Sequence, residues 1–320
     1  MIDAVVHLVA PIFLIIALGF VTAYSKILKE GMGDTLGNFC VSILVPLLIF
    51  RTLSQANLGA VFPAPLWGAY FGGLLSVYLL GAIIVRYLFK REARAAVIGG
   101  ITASYGNTGL VGIALITSLY GEDGLVPLSL IIALHLPIVV FLSTILMERA
   151  VVMDGYGAPP PLGQAFKGAF LSLLKNPIII GIIAGLLWNF SGLAMPALVE
   201  TALVSLAKSA SPVALFAVGM TLLDYGIRGT LAIGSVLSLL KIIIMPLLVF
   251  LLVSQVFVLP PLWVSVATIA AACPTGVNAY LMASQFGTGH AMSANAITLT
   301  TFASVVSASG WLYLLDVMGY

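Results

Sequence analysis

The sequence predicts an all-α polytopic membrane protein, and three observations support that prediction. Of the 320 residues, 61% are apolar and only 8% are charged. The mean hydropathy is +1.18. The apolar residues form long continuous runs punctuated by proline, unlike the short alternating segments of a membrane β-barrel. Helices are the expected form because an open sheet edge in hydrocarbon would leave backbone N–H and C=O groups unpaired.

Ten of these apolar runs are long enough to cross a bilayer, which takes roughly 20 mostly apolar residues. The predicted spans, in order, are 4–24, 36–52, 64–88, 94–119, 125–147, 176–191, 197–223, 230–254, 262–286 and 290–316. Polar or glycine- and proline-rich stretches separate them at 25–35, 53–63, 89–93, 120–124, 148–175, 192–196, 224–229, 255–261 and 287–289. No basic residues precede the first span, so a cleaved signal peptide is not expected.

Basic residues predict the orientation of the spans. Ten lysines and arginines fall in loops on one side, whereas the opposite loops offer only Arg51. The positive-inside rule therefore places the first group in the cytoplasm and both termini outside it. The net charge of +2 is explained by this topology and gives no reason to expect nucleic-acid binding. The ten residues are Lys26, Lys29, Arg86, Lys90, Arg91, Arg94, Arg149, Lys167, Lys175 and Arg228.

The longest polar interruption, residues 148–175, divides the ten spans five and five. An odd number of spans per half turns the second half upside down relative to the first. The sequence thus predicts two inverted five-helix repeats, 1–147 and 176–320, joined by a cytoplasmic linker at 148–175. Inverted repeats are typical of secondary transporters. Four residue pairs recur at an offset of 166, namely Pro11 and Pro177, Gly19 and Gly185, Pro46 and Pro212, and Phe50 and Phe216.

The apolar pattern breaks in the fourth span of each half. Span 4 contains Ser104-Tyr105-Gly106-Asn107-Thr108-Gly109, and span 9 contains Cys273-Pro274-Thr275-Gly276-Val277-Asn278-Ala279-Tyr280. Glycine and proline weaken a helix, and the N-terminus of a half-helix inside the membrane can bind an anion. Asn107 and Asn278 can donate hydrogen bonds from their amides. Close packing of small residues is the alternative, but recurrence in two equivalent spans favours a substrate site.

Ionisable residues inside a membrane are costly and are candidates for function. Lys241 could balance the charge of an anionic substrate, or its side chain could extend to the cytoplasmic headgroups. His135 could carry a proton, or it could be a neutral hydrogen-bonded packing residue. No Asp or Glu lies deep in any predicted span. The polar features therefore favour an anion over a cation as the substrate.

Several motifs, in order from the second span to the ninth, match one family. They are Val45-Pro46-Leu47-Leu48-Ile49-Phe50, Asn107-Thr108 with Gly112-Ile113, Asn176-Pro177, Gly185-Leu186-Leu187-Trp188, Met195-Pro196, Phe216-Ala217-Val218-Gly219, Lys241 with Met245-Pro246, and Pro274-Thr275-Gly276. With these motifs the chain resembles the auxin efflux carrier family, which includes plant PIN carriers and bacterial carriers labelled malonate transporters.

The resemblance implies ten helices in two inverted repeats, and a homodimer. Helices 1, 2, 6 and 7 would form a scaffold, and helices 3–5 and 8–10 a moving transport domain. The broken helices 4 and 9 would cross beside the substrate, and an elevator-like shift would expose the site to either side. Plant members have proline where this chain has Gly106 and Ala114, so the fourth helix is expected to break through glycine flexibility. Asn278 and the short linker are closer to bacterial members, which implies a cell inner membrane and makes auxin a poor first guess.

The sequence therefore predicts a secondary transporter that moves a small mono- or dicarboxylate, malonate-like, by an elevator-type mechanism. No cofactor is expected, and coupling to H⁺, to Na⁺ or to no ion stays open. An anion channel is the alternative, and an intramembrane enzyme is less favoured because His7, His135 and His290 are the only histidines. His135 is the candidate for proton coupling. The predicted substrate-binding residues are Gly106, Asn107, Thr108, Lys241, Pro274, Thr275, Gly276, Asn278 and Tyr280.

Overall fold

A computed structural model describes residues 2–56, 63–157, 163, 171, 174–227, 229 and 231–320, with the side chains of residues 2–9 not described. Those ranges are mostly helical and contain no strand, only an isolated antiparallel bridge between Gly106 and Thr275. The helices are α1 (Ile2–Tyr24), α2 (Met32–Gln55), α3 (Ala64–Leu88), α4 (Ala93–Ser104), α5 (Thr108–Met153), α6 (Pro177–Ser191), α7 (Ala197–Tyr225), α8 (Leu231–Val256), α9 (Pro261–Ala272), α10 (Asn278–Phe286) and α11 (His290–Val317).

Six of the described helices are long and apolar enough to cross a membrane, namely α2, α3, α5, α7, α8 and α11. Shorter apolar helices lie at Ala10–Tyr24, Pro177–Ser191 and Pro261–Ala272. Of the other four predicted spans, spans 1 and 6 correspond to the shorter apolar helices at Ala10–Tyr24 and Pro177–Ser191, span 4 is divided between α4 and the start of α5, and span 9 is divided between α9 and α10. The all-helical membrane class predicted from the sequence is confirmed.

Helix α5 reverses direction at Gly121. That residue leaves helical geometry, with φ 63° and ψ −150°, in a region of backbone space that favours glycine. Asp154, just beyond the end of α5, accepts hydrogen bonds from the backbone N–H groups of Ala93 and Arg94 at the start of α4. The chain therefore returns along α5 to the level at which α4 began. The polar stretch predicted at 120–124 is this turn.

The fifth predicted span ends later than expected. Helix α5 continues beyond residue 147 to Met153, so Glu148 lies on the helix and not in a linker, and it is buried with 8% exposure. Half of the predicted linker lies outside the described residues. Two of the predicted cytoplasmic basic residues, Lys167 and Arg228, also lie outside them.

The same backbone pattern closes α3 and α8. Both helices end in a π-helical turn, Ile84–Leu88 in α3 and Leu252–Val256 in α8. In both cases a non-glycine residue with positive φ follows, Lys90 (φ 51°) or Val258 (φ 48°). The next helices, α4 and α9, have 12 residues each. The two halves of the chain thus repeat a local structure as well as a sequence pattern.

Glycines bring α1 against α7 and α2 against α6. A Cβ atom at Gly19 would overlap the carbonyl oxygen of Phe216, and one at Gly185 would lie 2.8 Å from the carbonyl oxygen of Phe50. Gly19 and Gly185 are one of the sequence pairs at an offset of 166, and Phe50 and Phe216 are another. The contact of Gly19 with Phe216 and the contact of Gly185 with Phe50 are therefore equivalent, because each glycine of one pair meets a phenylalanine of the other pair. Small residues allow this close approach between helices.

Helices α4 and α9 lie in the interior of the protein. Every residue of α4 except Arg94 is buried, and so are Val264 to Ala272 of α9. Both helices are rich in alanine and other small residues, which lets neighbouring helices pack closely on every side. The points at which α4 and α9 end are therefore deep within the fold.

Candidate functional site

Two interrupted helices meet at one point. Helix α4 ends at Ser104 and α5 begins at Thr108, while α9 ends at Ala272 and α10 begins at Asn278. The segments between them run antiparallel and pair with each other. The N–H of Asn107 donates to the carbonyl of Pro274 (2.8 Å), and the N–H of Gly276 donates to the carbonyl of Tyr105 (2.9 Å). The N-termini of α5 and α10 and the C-termini of α4 and α9 thus lie together at this crossing.

Two further backbone N–H groups at the crossing donate to side chains, which satisfies them where a hydrocarbon surrounding offers no water. The N–H of Gly106 donates to Nε2 of His135 (3.3 Å), and the N–H of Thr275 donates to Oγ1 of Thr300 (2.9 Å). The Thr275 hydroxyl in turn donates to the carbonyl of Thr102 in the last turn of α4 (3.0 Å). Helix breaks that would be costly in lipid are stabilised here by side chains from neighbouring helices.

His135 lies on α5 after its reversal, and its side chain is buried. Because Nε2 accepts a hydrogen bond from Gly106, that nitrogen carries no proton, which places the hydrogen of the neutral imidazole on Nδ1. Nδ1 lies 3.3 Å from the hydroxyl of Tyr70, and the ring of Tyr105 stands edge-on with its centroid 4.7 Å away. In this conformation His135 is a neutral group that holds the break between α4 and α5.

Lys241 lies under the crossing. Its side chain is fully buried and Nζ donates to the carbonyl of Ala271 (2.6 Å) in the last turn of α9. A cation at a helix C-terminus stabilises the partial negative charge of the unpaired carbonyls there. The alternative in which Lys241 extends to the headgroups is therefore wrong. Gly106 does not have a positive φ; a Cβ at Gly106 would lie 3.3 Å from Nζ of Lys241, so the glycine provides room for the lysine rather than backbone freedom.

Two cavities of about 230 Å³ each adjoin the crossing. Asn107 and Asn278 border both of them. The first has no Asp, Glu, Lys or Arg among the described residues that line it. Its polar side chains are those of Tyr105, Asn107, Thr108, His135, Asn176 and Asn278, and the glycines Gly106, Gly109 and Gly276 also line it. The polar lining of the second includes Asp34, Asn38, Asn107, Thr221, Tyr225, Thr275 and Asn278.

The second cavity extends from the crossing to one face of the protein. Gly33 and Asp34, at the start of α2, line it together with Tyr225, at the end of α7. These residues border the loops 25–31 and 226–229, which the basic residues predict to be cytoplasmic. The cavity therefore leads from the crossing toward the face that carries the basic loops.

The two asparagines at the crossing have different partners. Oδ1 of Asn107 accepts from the N–H of Leu110 (3.2 Å) and so caps the N-terminus of α5, which leaves its amide N–H groups as donors. Nδ2 of Asn278 donates to the hydroxyl of Tyr105 (2.8 Å). Position 276 requires glycine, because a Cβ there would lie 2.6 Å from the Tyr105 ring.

The predicted site residues fall into two groups. Gly106, Asn107, Thr108, Gly276 and Asn278 line the first cavity, and Thr275 lines the second. Three predicted residues line neither, namely Pro274, Lys241 and Tyr280. Pro274 contributes its carbonyl to the crossing, and Lys241 stabilises the end of α9 at the crossing by donating to the carbonyl of Ala271. The Tyr280 ring packs edge-on against Tyr225, with centroids 5.3 Å apart.

Sequence reasoning missed two polar residues of the first cavity, Tyr105 and Asn176. Asn176 caps α6, with Oδ1 accepting from the N–H of Ile178 (2.9 Å). An asparagine directly before a proline at the start of an apolar run is a helix-start signal, and it could have placed Asn176 at a helix N-terminus. Tyr105 stands inside the motif that was singled out, but nothing in the sequence shows which way its side chain points.

Known proteins similar to this chain include membrane transporters. A family model described as "Membrane transport protein" matches residues 4–154 and 164–312. A "Putative malonate transporter" of Rhizobium meliloti (strain 1021) is 28% identical over 311 residues, which cover 96% of this chain and 95% of the relative. The "Uncharacterized transporter YfdV" of Escherichia coli (strain K12) is 23% identical over 319 residues, 95% of each chain. The "Lysosomal cholesterol signaling protein" of Mus musculus is 26% identical over 246 residues, which are 74% of this chain and 28% of that protein.

Proposed function

Because this chain belongs to the membrane transport protein (auxin efflux carrier) family, we propose that it is a secondary transporter of a small organic anion, a mono- or dicarboxylate such as malonate. The substrate site in this proposal is the crossing of α4–α5 with α9–α10. The "Putative malonate transporter" of Rhizobium meliloti, alike over nearly its whole length, supports the choice of malonate as the first substrate to test.

One observation carries the proposal: two helix N-termini open on a cavity whose described lining contains no charged residue. The first turns of α5 and α10 begin at Thr108 and Asn278, which both border the first cavity. Helix N-termini carry partial positive charge and unpaired N–H groups, so they attract anions. The amide N–H groups of Asn107, which have no acceptor among the described residues, add donors at the same point. The described residues that line this cavity include no carboxylate, so they offer a cation no negatively charged ligand.

Lys241 contributes positive charge without touching the cavity. Its ammonium lies against Gly106 and the end of α9. In a low-dielectric interior a charge acts over several ångströms more strongly than in water. We therefore propose that Lys241 is a countercharge that acts through the crossing. This role differs from the direct contact that the sequence suggested.

The size of the site favours a small substrate. Pockets for drug-sized ligands measure roughly 300–1,000 Å³, and the first cavity measures about 230 Å³. A three- or four-carbon mono- or dicarboxylate fits such a volume with little water. A large aromatic acid fits it less well.

We further propose that residues 1–147 and 176–320 are inverted repeats and that helices move as two groups. Counted as ten spans, the scaffold is α1, α2, α6 and α7, and the remaining helices form the transport domain. The equivalent contacts of Gly19 and Gly185 support the repeat. The positions of the glycines support the division. Among the described residues, each glycine at which a Cβ would come within 3.0 Å of another residue meets a residue of its own group.

Close contacts at glycines lock neighbouring helices together. Because these contacts lie within each group, the helices at the boundary between the two groups are less tightly locked and can slide past one another. An elevator-like shift of the transport domain would then carry the crossing between the two faces. In the proposal the protein is a homodimer in the inner membrane with both termini outside the cytoplasm. Because the second cavity leads toward the basic loops, we assign this conformation to the cytoplasm-facing state.

Purified protein in liposomes tests the proposal with radiolabelled malonate and matched neutral analogues. We expect saturable uptake and counter-transport of the acid, both reduced at least about 10-fold in Asn107→Ala and Asn278→Ala, since each variant removes a polar group from the anion site. Uptake kinetics that both variants leave unchanged would remove the site from the crossing. Flux that does not saturate and shows no counter-transport would indicate an anion channel.

Asn107→Asp is the matched variant that separates binding from folding. An aspartate still caps α5 through its oxygen, but it has no N–H to donate and places a negative charge at the anion site. We expect Asn107→Asp to unfold at the wild-type temperature and to lose uptake. Asn107→Ala should lose both uptake and the cap, which is worth about 1 kcal/mol. An aspartate variant that transports like the wild type would contradict the proposal.

A further inference from the structure

Tyr105 is the first residue after α4, and its backbone is fixed on both sides. Its N–H donates to the carbonyl of Ile101 (2.8 Å), and its carbonyl accepts from the N–H of Gly276 (2.9 Å). The residue is extended, with φ −76° and ψ 114°, so it turns the chain out of the helix and into the crossing. The Tyr105 side chain therefore starts from an anchored point within the site.

The Tyr105 ring is held as firmly as its backbone. The ring lies directly against Gly276, where a Cβ would lie 2.6 Å from two ring carbons. The ring of His135 meets it edge-on, with centroids 4.7 Å apart and planes at 81°. A ring fixed in this way presents its hydroxyl at one place beside the first cavity, which Tyr105 lines together with Asn278.

The hydroxyl of Tyr105 is set up to donate. A phenolic hydroxyl has one hydrogen to give and oxygen lone pairs to accept with. Here the oxygen accepts from Nδ2 of Asn278 at 2.8 Å. Among the described residues no acceptor is found for the hydroxyl hydrogen itself. A donor that lines a cavity, and whose oxygen is already bonded to an amide N–H, is free to bind an acceptor that enters the cavity.

We propose that the Tyr105 hydroxyl donates a hydrogen bond to a carboxylate oxygen of the substrate, and that Asn278 orients the hydroxyl for this task. The inference rests on the proposed function, since it names a further residue that selects carboxylates at the same site. A carboxylate is the best acceptor for such a donor, because hydrogen bonds to ionised groups are stronger than those between neutral groups. A neutral amide or ester of the same shape accepts more weakly and is discriminated against.

Liposome uptake of radiolabelled malonate by Tyr105→Phe tests the proposal. This substitution keeps the ring and removes the hydroxyl. We expect KM to rise about 10- to 100-fold, the range for one hydrogen bond to a charged group, with a smaller change in Vmax. Tyr78→Phe is the matched control, because Tyr78 is a buried tyrosine on α3 whose hydroxyl is hydrogen-bonded to Ser143 and which lines neither cavity. Its KM should stay at the wild-type value, and size-exclusion profiles should show both variants folded.

A second variant separates donation to the substrate from support of Asn278. Replacing Tyr105 with 3-fluorotyrosine makes the hydroxyl a stronger donor and a weaker acceptor. If the hydroxyl donates to malonate, KM falls below the wild-type value. If it serves only to accept from Asn278, KM rises or stays constant, and the proposal is wrong.

The wild-type protein separates this proposal from the proposed function. Saturable malonate uptake by the wild type with an unchanged KM in Tyr105→Phe would overturn the role of Tyr105 alone. If the wild type showed no saturable uptake of any carboxylate, both would fall, since the hydroxyl would then have no carboxylate to bind.

Discussion

The side chain of His135 connects three parts of the site at the scale of a single residue. Its Nε2 accepts from the backbone N–H of Gly106, its Nδ1 lies near the hydroxyl of Tyr70, and its ring contacts Tyr105. Protonation of Nε2 would turn this acceptor into a donor and place two N–H groups against each other. The residue is therefore both a structural support and the group through which a proton would act on the crossing.

His135→Ala should destabilise the folded protein by about 1–3 kcal/mol, because the buried N–H of Gly106 loses its acceptor. His135→Gln can offer an amide oxygen to the same N–H, so its loss of stability should be smaller. Thermal unfolding of the two variants in the same detergent measures the difference. Equal loss in both variants would show that the hydrogen bond to Gly106 contributes little.

His135→Gln also tests whether His135 couples transport to a proton. In liposomes with an imposed pH gradient, a proton-coupled carrier accumulates malonate above equilibrium. If His135 carries the proton, His135→Gln should keep counter-transport of malonate and lose accumulation driven by the gradient. Accumulation that survives in His135→Gln would assign His135 to support of the crossing alone.

Helix α4 depends on a cap supplied from a distant part of the chain. Asp154 accepts from the backbone N–H groups of Ala93 (2.8 Å) and Arg94 (2.9 Å), and it pairs with the Arg94 guanidinium (3.3 Å). Burial alone would raise the pKa of the Asp154 carboxyl, but these hydrogen bonds and the guanidinium outweigh it and hold that pKa below its ordinary value of 3.8. The negative charge also lies at the positive end of the α4 dipole.

Asp154→Ala should lower the free energy of unfolding by about 1–2 kcal/mol near neutral pH, the upper part of the range for a lost helix cap. A carboxyl with a lowered folded-state pKa stabilises the fold above its unfolded pKa, and the stabilisation is lost as the pH falls toward the folded value. The difference in unfolding temperature between wild type and Asp154→Ala should thus be constant near neutral pH and shrink below about pH 4. A difference that does not depend on pH would mean that the charge of Asp154 is unimportant.

The interruptions and turns of the helices could be predicted from the sequence because their signals are local. Glycine, proline and asparagine inside apolar runs predicted both interruptions, and the polar stretch at 120–124 predicted the turn at Gly121. The partners could not be predicted in the same way. That His135 accepts from Gly106, and that Lys241 donates to Ala271, depends on how separate helices pack, as does the direction of the Tyr105 ring. These contacts decide which polar residues line the cavity and which only support it.

One ion pair joins the two proposed groups of helices on the face opposite the basic loops. Arg51 near the end of α2 pairs with Glu200 near the start of α7 (2.8 Å), within the proposed scaffold. The same guanidinium pairs with Glu122 (2.6 Å), which follows the turn at Gly121 in the proposed transport domain. If the transport domain moves against the scaffold, the bond from Arg51 to Glu122 must break, whereas the bond to Glu200 stays.

Glu122→Gln should therefore favour the conformation that opens away from the basic loops. Because Glu122 is 62% exposed, the pair is worth only about 0.2–1 kcal/mol, so the ratio of the two states should shift by roughly 1.4- to 5-fold. The measurement is the labelling rate of Val277→Cys, at a position that borders both cavities, by an impermeant thiol reagent outside intact cells. The native thiols Cys40 and Cys273 are buried and react little. Glu200→Gln, the matched control within the scaffold, should leave the rate unchanged, and an equal rise in both variants would show that Arg51 does not bridge a moving boundary.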